Sequence, residues 1–249
     1  MPRYFIKIAY RGTDYHGWQK QENANSVQAE LESALTVLLS QTIETTGCGR
    51  TDTGVHAKEF YAHFDYENEI GDEKFVIYKL NKILPIDIAA HSIFKVRNAA
   101  SARFDATSRT YQYFITRTKN PFELDTAYYL YGHLDIEKMN RAAQILFQYE
   151  DFTSFSKSNT QVFTNNCKIM KASWTQLNNT LIFEITANRF LRNMVRAIVG
   201  TLLQIGKGEI GEDDFIKIIE SKNRSNAGFS VPACGLFLTH VEYGDGIFV

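Results

Sequence analysis

The feature of this sequence that most restricts its fold is an order of predicted elements that occurs twice. Hydrophobic alternation and helical spacing predict strand, helix, strand, strand, helix and strand in the first half. The second half repeats this order, with one short helix inserted before its last strand. Ferredoxin-like domains have this order of elements. We therefore expect an α+β fold of two ferredoxin-like halves, at residues 1–105 and 106–249, with adjoining antiparallel or mixed sheets and a central cleft.

Residues that start and stop elements support this order in the first half. The polar pair Asn25-Ser26 precedes the first helical pattern, and Pro85 follows the second. The first half is predicted to contain strands at 3–10, 42–48, 60–66 and 86–96, and helices at 27–38 and 72–84.

The second half carries similar signals. Asp135 is a candidate N-cap, Asn178-Asn179 favours a hairpin turn, and Gly206 is a candidate helix end. This half is predicted to contain strands at 111–118, 168–176, 181–187 and 236–243, and helices at 135–147, 190–205 and 213–221.

The composition favours a chain with a sizeable core in a reducing compartment. Of its 249 residues, 44% are hydrophobic, and no stretch approaches the ~18 uninterrupted apolar residues of a membrane span. The three cysteines, Cys48, Cys167 and Cys234, are far apart, which argues against a disulfide framework or a structural zinc site. The first residues lack the apolar region of a signal peptide. We therefore expect a cytoplasmic protein.

Charge is unevenly distributed, although the formal net charge is only −1. Residues 95–119 contain six basic residues and one acid, and residues 186–208 contain four basic residues and no acid. Six acids lie within residues 59–73. The basic stretches could bind a polyanion if the fold brings them together. Ordinary solvated surfaces would explain the same pattern.

Three short motifs have better explanations than the functions they suggest. Residues 206–211 match GxGxxG, but they follow a helical pattern and precede the acidic run 212–214, unlike a dinucleotide site. Residues 52–54 match the Asp-Thr-Gly of aspartic proteases, which need two such carboxylates, so only a dimer could supply the second. His56 and His63 lack the neighbours that would complete a metal shell.

The segment around Asp52 is a loop rich in glycine and threonine, with Arg50 before the aspartate and His56 after it. Gly49 and Gly54 would allow close backbone approach and positive φ. The segment has two interpretations. Asp52 either caps the local backbone of a turn or presents a carboxylate for chemistry.

The predicted helix 190–205 could supply a partner for this carboxylate. Arg192 and Arg196 are four residues apart among apolar residues, on one face if both are helical. A buried guanidinium without a carboxylate costs roughly 3–5 kcal/mol, and Asp52 is a credible partner. Alternatively, either arginine reaches solvent, which suits Arg192 better than Arg196.

Residues 103–113 combine arginines with aromatic residues at strand spacing. Tyr111 and Tyr113 should point to the same face of a strand. A tyrosine beside arginines can stack on an unpaired base, but an aromatic pair in a strand is also typical of a core. This segment alone does not decide between the two.

Taken together, the motifs resemble those of the TruA family of tRNA pseudouridine synthases. The resemblance covers almost the whole chain, with the motifs in the family's order. It rests on YRGTDYHGWQKQ (10–21), GRTDTGVHA (49–57), SARFDATSRTYQYFI (101–115), DFTSF (151–155), NRFLRNMVRAIVGTLLQIGKG (188–208) and GLFL (235–238).

This resemblance implies a fold of two α+β halves around an RNA-binding cleft and an isomerase that converts uridine to pseudouridine. The implied targets are positions 38, 39 and 40 in the anticodon arm of tRNA, and the implied enzyme is a homodimer that needs no metal or nucleotide cofactor. Asp52 would be catalytic, Tyr111 and Leu236 would enclose the uracil, and Arg196 would pair with the aspartate. Arg50 would occupy the space that the flipped base leaves or hold its backbone.

The basic stretches would hold RNA phosphates, through Arg103, Arg109 and Arg192 among others. Departures from the family pattern at Thr53, 58–60 and Glu150 affect local packing or RNA contacts rather than the proposed catalytic residues. Two other functions stay open at this point: a non-catalytic RNA-binding protein on a synthase scaffold, and a dimeric aspartic protease.

Overall fold

The computed structural model describes residues 1–157 and 163–248, which form a mixed α+β protein. The described strands are β1 (Arg3–Tyr10), β2 (Thr46–Gly47), β3 (His56–Asp65), β4 (Ile88–Val96), β5 (Ala106–Thr116), β6 (Tyr128–Tyr129), β7 (Ile169–Leu177), β8 (Thr180–Ala187) and β9 (Leu236–Tyr243). The described α-helices are α1 (Val27–Leu39), α2 (Glu73–Ile83), α3 (Ile136–Ile145), α4 (Met194–Gly206) and α5 (Glu212–Glu220).

The chain packs as two compact units. One contains Met1–Ser108 and Phe237–Val249, and the other contains Arg109–Leu236. Packing thus groups β9 with the N-terminal residues, whereas the repeated element order placed it in the second half. The division into halves at 1–105 and 106–249 stays a prediction from that order.

The first unit is built on a mainly antiparallel sheet. β1 lies between β3 and β4 and is antiparallel to both. β2 pairs with β3 in antiparallel fashion, and β9 runs parallel to β3. α2 packs on β4 and α1. The core contains Phe5, Ile6, Ile8 and Phe60, whose exposed fraction is 0%.

The second unit contains the antiparallel order β5-β8-β7, with β6 parallel to β5. β7 and β8 are joined through Asn178-Asn179, and Asn178 adopts a φ of 52°, a left-handed conformation that asparagine tolerates better than most residues. α3 packs against β7 and α4. Eleven of the 13 residues of α4 are buried, so this helix forms a large part of the core of the unit.

The predicted starts of α1, α2 and α3 are confirmed to within one residue, and each has a side-chain cap. The side chains of Ser26, Asp72 and Asp135 each accept a hydrogen bond from a backbone N–H three residues later. These caps satisfy N–H groups that the first helical turn leaves without a partner. The final strand also has its predicted bounds, Leu236–Tyr243.

The predicted start of the last long helix is wrong. α4 begins at Met194 rather than at residue 190, because Asn193 has a φ of 68° and interrupts the helical backbone. Residues 190–193 are apolar enough to resemble a helix in sequence, but they form the turn that precedes it. At the other end, Gly206 is still helical, and Gly208 takes the left-handed φ of 76°.

Three predicted strands have different bounds. β3 begins at His56 and β5 at Ala106, several residues before the predicted starts. The strand predicted at 42–48 is reduced to the two residues of β2. Among the described residues, no helix is long and apolar enough to cross a membrane.

Candidate active site

Asp52 lies in the loop between β2 and β3 and is partly accessible. Its side chain is half-buried, that of Arg50 is exposed, and those of Thr51 and Val55 are buried. The N–H of Val55 donates to the carbonyl of Asp52 at 3.1 Å. The loop therefore turns sharply just after the aspartate, and Gly54 has the positive φ of 77° that this turn requires.

The N-terminal segment 10–18, between β1 and α1, holds this loop from one side. The hydroxyls of Tyr10 and Thr51 are 2.9 Å apart. The N–H of Trp18 donates to the carbonyl of Thr51 at 3.3 Å, and the N–H of Gly54 donates to the carbonyl of Tyr15 at 3.3 Å. The residues on both sides of Asp52 are thus hydrogen-bonded to one neighbouring segment.

His56 is part of the same support. Its side chain is 1% exposed, and its Nδ1 accepts the N–H of Gly12 at 3.0 Å. Its ring stacks on Phe237, with 4.5 Å between ring centroids. Among the described residues, no group of three His, Cys, Asp or Glu residues could hold a metal ion. The observed contacts give His56 a structural role at the start of β3.

Two glycines allow the segment 10–18 to approach the loop closely. A Cβ at Gly12 would lie 2.0 Å from the carbonyl oxygen of Val55, and a Cβ at Gly17 would lie 2.3 Å from that of Thr51. Gly49 does not use the conformational freedom that glycine would allow there. A Cβ there would meet nothing within 4 Å, and its φ is not positive.

The segment 10–18 is itself anchored by Asp87, which immediately precedes β4. The hydroxyl of Tyr15 donates to Oδ1 of Asp87 at 2.7 Å, and the N–H of Arg11 donates to the Asp87 carbonyl at 2.9 Å. Burial, followed by the hydrogen bond to Asp87, raises the pKa of Tyr15 well above its ordinary value. The phenol therefore stays protonated and remains a donor.

In the second unit, Arg196 lies in the first turn of α4 and is half-buried. Its Nε donates to the carbonyl of Val231 at 2.7 Å, and the N–H of Val231 donates to the Arg196 carbonyl at 3.3 Å. Asp52 belongs to the other compact unit. The pairing of Arg196 with Asp52 stays a prediction.

Arg192 does not share a helical face with Arg196, contrary to the prediction, because it precedes α4. Its side chain is exposed, and its backbone carbonyl accepts the N–H of Lys157 at 3.0 Å. The left-handed Asn193 separates the two arginines and gives them different surroundings.

The two tyrosines of β5 have different roles, which the sequence could not distinguish. Tyr113 is fully buried and donates to the carbonyl of Pro232 at 2.8 Å. Burial raises its pKa far above the ordinary value, so it is a core residue. Tyr111 is half-buried, and its ring meets Phe190 edge to face at 5.1 Å. Of the pair, Tyr111 is the more accessible.

Arg196 and Tyr113 hold neighbouring carbonyls of the segment that leads to Leu236. A Cβ at Gly235 would lie 2.7 Å from the carbonyl oxygen of Phe114, so this glycine allows the segment to lie directly on β5. Leu236 follows and is 5% exposed.

Two further predicted RNA contacts, Arg103 and Arg109, lie just before β5 and within it. Arg103 is exposed in the turn before β5, with its guanidinium 5.3 Å from the ring of the exposed Phe104. Arg109 is half-buried in β5 and donates to the carbonyl of Asn188 at 2.9 Å.

Sequence reasoning missed the supporting roles of Tyr10, Gly12, Tyr15, Gly17 and Asp87. The first four were quoted only as part of a motif. The motif offered one usable signal, because two glycines five residues apart among large aromatic residues suggest close backbone approach. Asp87 carried no signal, since its partner Tyr15 is 72 positions away.

The chain is similar to known tRNA-modifying enzymes. Residues 142–244 match a family model described as tRNA pseudouridine synthase. The chain is 55% identical over 247 residues to tRNA pseudouridine synthase A of Bacteroides fragilis, covering 99% of this chain and 98% of that protein. It is 40% identical over 240 residues to tRNA pseudouridine synthase A of Clostridium acetobutylicum, covering 96% and 98%. This chain belongs to the tRNA pseudouridine synthase A family.

Proposed function

We propose that this protein isomerises uridine to pseudouridine in the anticodon arm of tRNA, at positions 38, 39 and 40. The observation that carries the proposal is the similarity to proteins named tRNA pseudouridine synthase A over nearly the full length of both chains. The partly accessible carboxylate of Asp52, in a loop held on both sides by hydrogen bonds, provides the reactive group.

The reaction breaks the N1–C1′ glycosidic bond, turns the uracil, and joins its C5 to C1′. The uracil loses the proton on C5 and gains one on N1, so the isomerisation is redox-neutral. A carboxylate suits this chemistry because an anion can act as nucleophile or proton acceptor toward a sugar with oxocarbenium character. Asp52 is the residue to which we assign this role.

A uridine in a helical stem must leave the base stack before it reacts, which costs a few kcal/mol. We assign Tyr111 to stack on the uracil and Leu236 to close the opposite side. Tyr111 is half-buried, and its ring meets Phe190 edge to face. These contacts orient the ring, which supports its proposed stacking role. Arg50, exposed and two positions before Asp52, would hold the flipped backbone or fill the vacated space.

Arg196 would pair with Asp52 and position its carboxylate. Its half-buried place at the start of the apolar helix α4 supports this role, since a charge there benefits from a carboxylate partner. Arg103, Arg109 and Arg192 would contact RNA phosphates, and exposure favours Arg103 and Arg192 over Arg109.

The wider organisation follows from the same family. We infer two ferredoxin-like halves around an RNA-binding cleft, a homodimer and a cytoplasmic location. Strand pairing supports the ferredoxin-like halves: the order is β4-β1-β3-β2 in the first unit, as in the split β-α-β pattern. The relatives give no support to an aspartic protease or to a non-catalytic RNA-binding protein.

Incubating the purified protein with unmodified tRNA, followed by chemical mapping of pseudouridine, tests this proposal. We expect conversion at one or more of positions 38, 39 and 40. Asp52→Asn should bind the same tRNA and form no pseudouridine, because the amide has neither the charge nor the basicity of the carboxylate.

Asp213→Asn is the matched control. It removes one negative charge from an exposed position in the first turn of α5 and should retain full activity. Substantial turnover by Asp52→Asn would contradict the role given to Asp52. A wild-type protein that leaves all three positions unmodified would contradict the proposed function.

A further inference from the structure

Asp87 and Tyr15 are well placed to control the loop of Asp52 without touching the substrate. Tyr15 is 3% exposed, and its hydroxyl and its backbone carbonyl are both hydrogen-bonded within the unit. Its hydroxyl donates to Oδ1 of Asp87 at 2.7 Å, and a hydrogen bond to a charged acceptor is about twice as strong as one between neutral groups. The pair therefore fixes the ring of Tyr15 beside the start of β4.

A short chain of hydrogen bonds leads from this pair to Asp52. The carbonyl of Tyr15 accepts the N–H of Gly54, and the carbonyl of Asp52 accepts the N–H of Val55. Both of these N–H groups belong to the turn that follows the aspartate. A displacement of Tyr15 therefore shifts the backbone from which the Asp52 carboxylate projects.

The same segment makes two further close contacts. Gly12 donates to the ring of the buried His56, and Gly17 packs against the carbonyl of Thr51. These contacts leave little free space between the segment 10–18 and the loop, so a shift of the segment would be transmitted to the loop. The Asp87 side chain holds the segment at Tyr15.

We propose that Tyr15 and Asp87 are a positioning pair that sets the geometry of the Asp52 carboxylate for uridine isomerisation. The proposal rests on the proposed function, since it assigns a task to residues behind the same active site. Neither residue is catalytic, because both act through the backbone of the loop rather than on the reacting atoms.

Tyr15→Phe is the primary test, because it removes the hydroxyl and keeps the ring that fills the core. We expect kcat to fall about 10- to 100-fold, as for a displacement of up to about 1 Å at a reacting group. The Kd for unmodified tRNA should change by less than about 2-fold, because Tyr15 is not exposed. A wild-type kcat in this variant would overturn the proposal, as would a loss confined to tRNA binding.

Substitutions of Asp87 distinguish positioning from charge. Asp87→Asn keeps an oxygen that can accept from Tyr15, so most of the activity should return relative to Asp87→Ala. The double variant Tyr15→Phe/Asp87→Ala should be no slower than Asp87→Ala, because both changes break the same contact. Additive losses in kcat, or an Asp87→Asn variant as slow as Asp87→Ala, would contradict the pair.

Tyr4→Phe is the matched control. Tyr4 is buried in β1 of the same unit, and its hydroxyl oxygen accepts the N–H of Ile70 at 3.0 Å, away from the loop. It should lose less stability than Tyr15→Phe, because its hydrogen bond joins neutral groups, and it should keep its kcat. If Tyr4→Phe slowed catalysis as much as Tyr15→Phe, the effect would be general destabilisation and the proposal would fail.

Amide hydrogen exchange separates this inference from the proposed function. In Tyr15→Phe, the amides of Gly54 and Val55 should exchange faster than in the wild type, whether or not the protein modifies tRNA. Unchanged exchange would refute the positioning pair even if pseudouridine forms. Faster exchange in a protein that modifies no uridine would leave the pair standing and remove the proposed reaction.

Discussion

Replacing Gly17 with alanine would measure how closely the segment 10–18 must approach the Asp52 loop. Gly17 has a φ of +91°, and a Cβ there would lie 2.3 Å from the carbonyl oxygen of Thr51 and 3.1 Å from the carbonyl carbon of Asp52. Both are backbone atoms, so no side-chain rotation relieves the clash. Restoring an ordinary van der Waals contact of 3.4 Å or more requires the loop to move by about 1 Å.

Two costs follow from this geometry. A residue with a Cβ in a sparsely populated backbone conformation costs about 1–3 kcal/mol, which corresponds to a fall in Tm of about 2–12 °C for a chain of this size. A misplacement of about 1 Å at a reacting group can cost about 100-fold in rate. We therefore expect Gly17→Ala to lose far more activity than its modest loss of stability would explain.

Thermal unfolding and single-turnover pseudouridine formation, measured at a temperature where the variant is folded, test these values. Gly49→Ala is the matched control for folding, because it lies in the same loop with nothing within 4 Å of its Cβ position. Gly71→Ala, equally open and outside the loop, is the control for activity. If Gly17→Ala had the wild-type Tm and rate, the close approach of segment 10–18 to the loop would not be required for stability or for activity.

Two further predictions concern the stacking residue and a buried histidine. Tyr111→Phe should retain most base stacking, whereas Tyr111→Ala should weaken it by about 1–3 kcal/mol, or about 5- to 150-fold in kcat/KM for tRNA; equal losses would show that the hydroxyl carries the effect. Burial, followed by the charge of Arg3, lowers the pKa of His63 below its ordinary 6.5. The unfolded chain therefore binds the proton more readily, and stability contributed by His63 is present above pH about 6.5 and falls as pH drops toward the folded pKa. Urea midpoints between pH 8 and 5 should fall more steeply for the wild type than for His63→Asn, and equal slopes would contradict this.

Local signals in the sequence were sufficient wherever the structure is determined by nearby residues. Ser26, Asp72 and Asp135 cap helices through bonds to N–H groups three residues away, so their chemistry can be recognised in a short window. The hairpin at Asn178-Asn179 depends on a backbone preference of asparagine and on alternation in the flanking strands. The order of elements was predictable for the same reason, because periodicity is a local property.

The loop of Asp52 shows where local information ends. Gly49 and Gly54 would both allow positive φ and close backbone approach, but only Gly54 adopts positive φ, and Gly49 faces open space. The glycine that combines a positive φ with close approach to Thr51 and Asp52 is Gly17, which lies 35 positions before Asp52 in the chain. That requirement arises from a contact between two segments; the glycines among aromatic residues in segment 10–18 suggest a close approach, but they do not identify the loop that is approached.

Residues close together in the chain were enough to predict the element order, the starts of α1 and α3 at Ser26 and Asp135, and the motifs that relate this chain to its family. Contacts between distant residues instead make Tyr113 a core residue while Tyr111 is accessible, and let Asp87 anchor the segment behind Asp52. The position of Arg192 before α4 was likewise not predictable from its neighbours. Burial and hydrogen bonding depend on which distant surfaces meet. Side chains of identical chemistry, such as these two tyrosines, therefore have different roles because their surroundings differ.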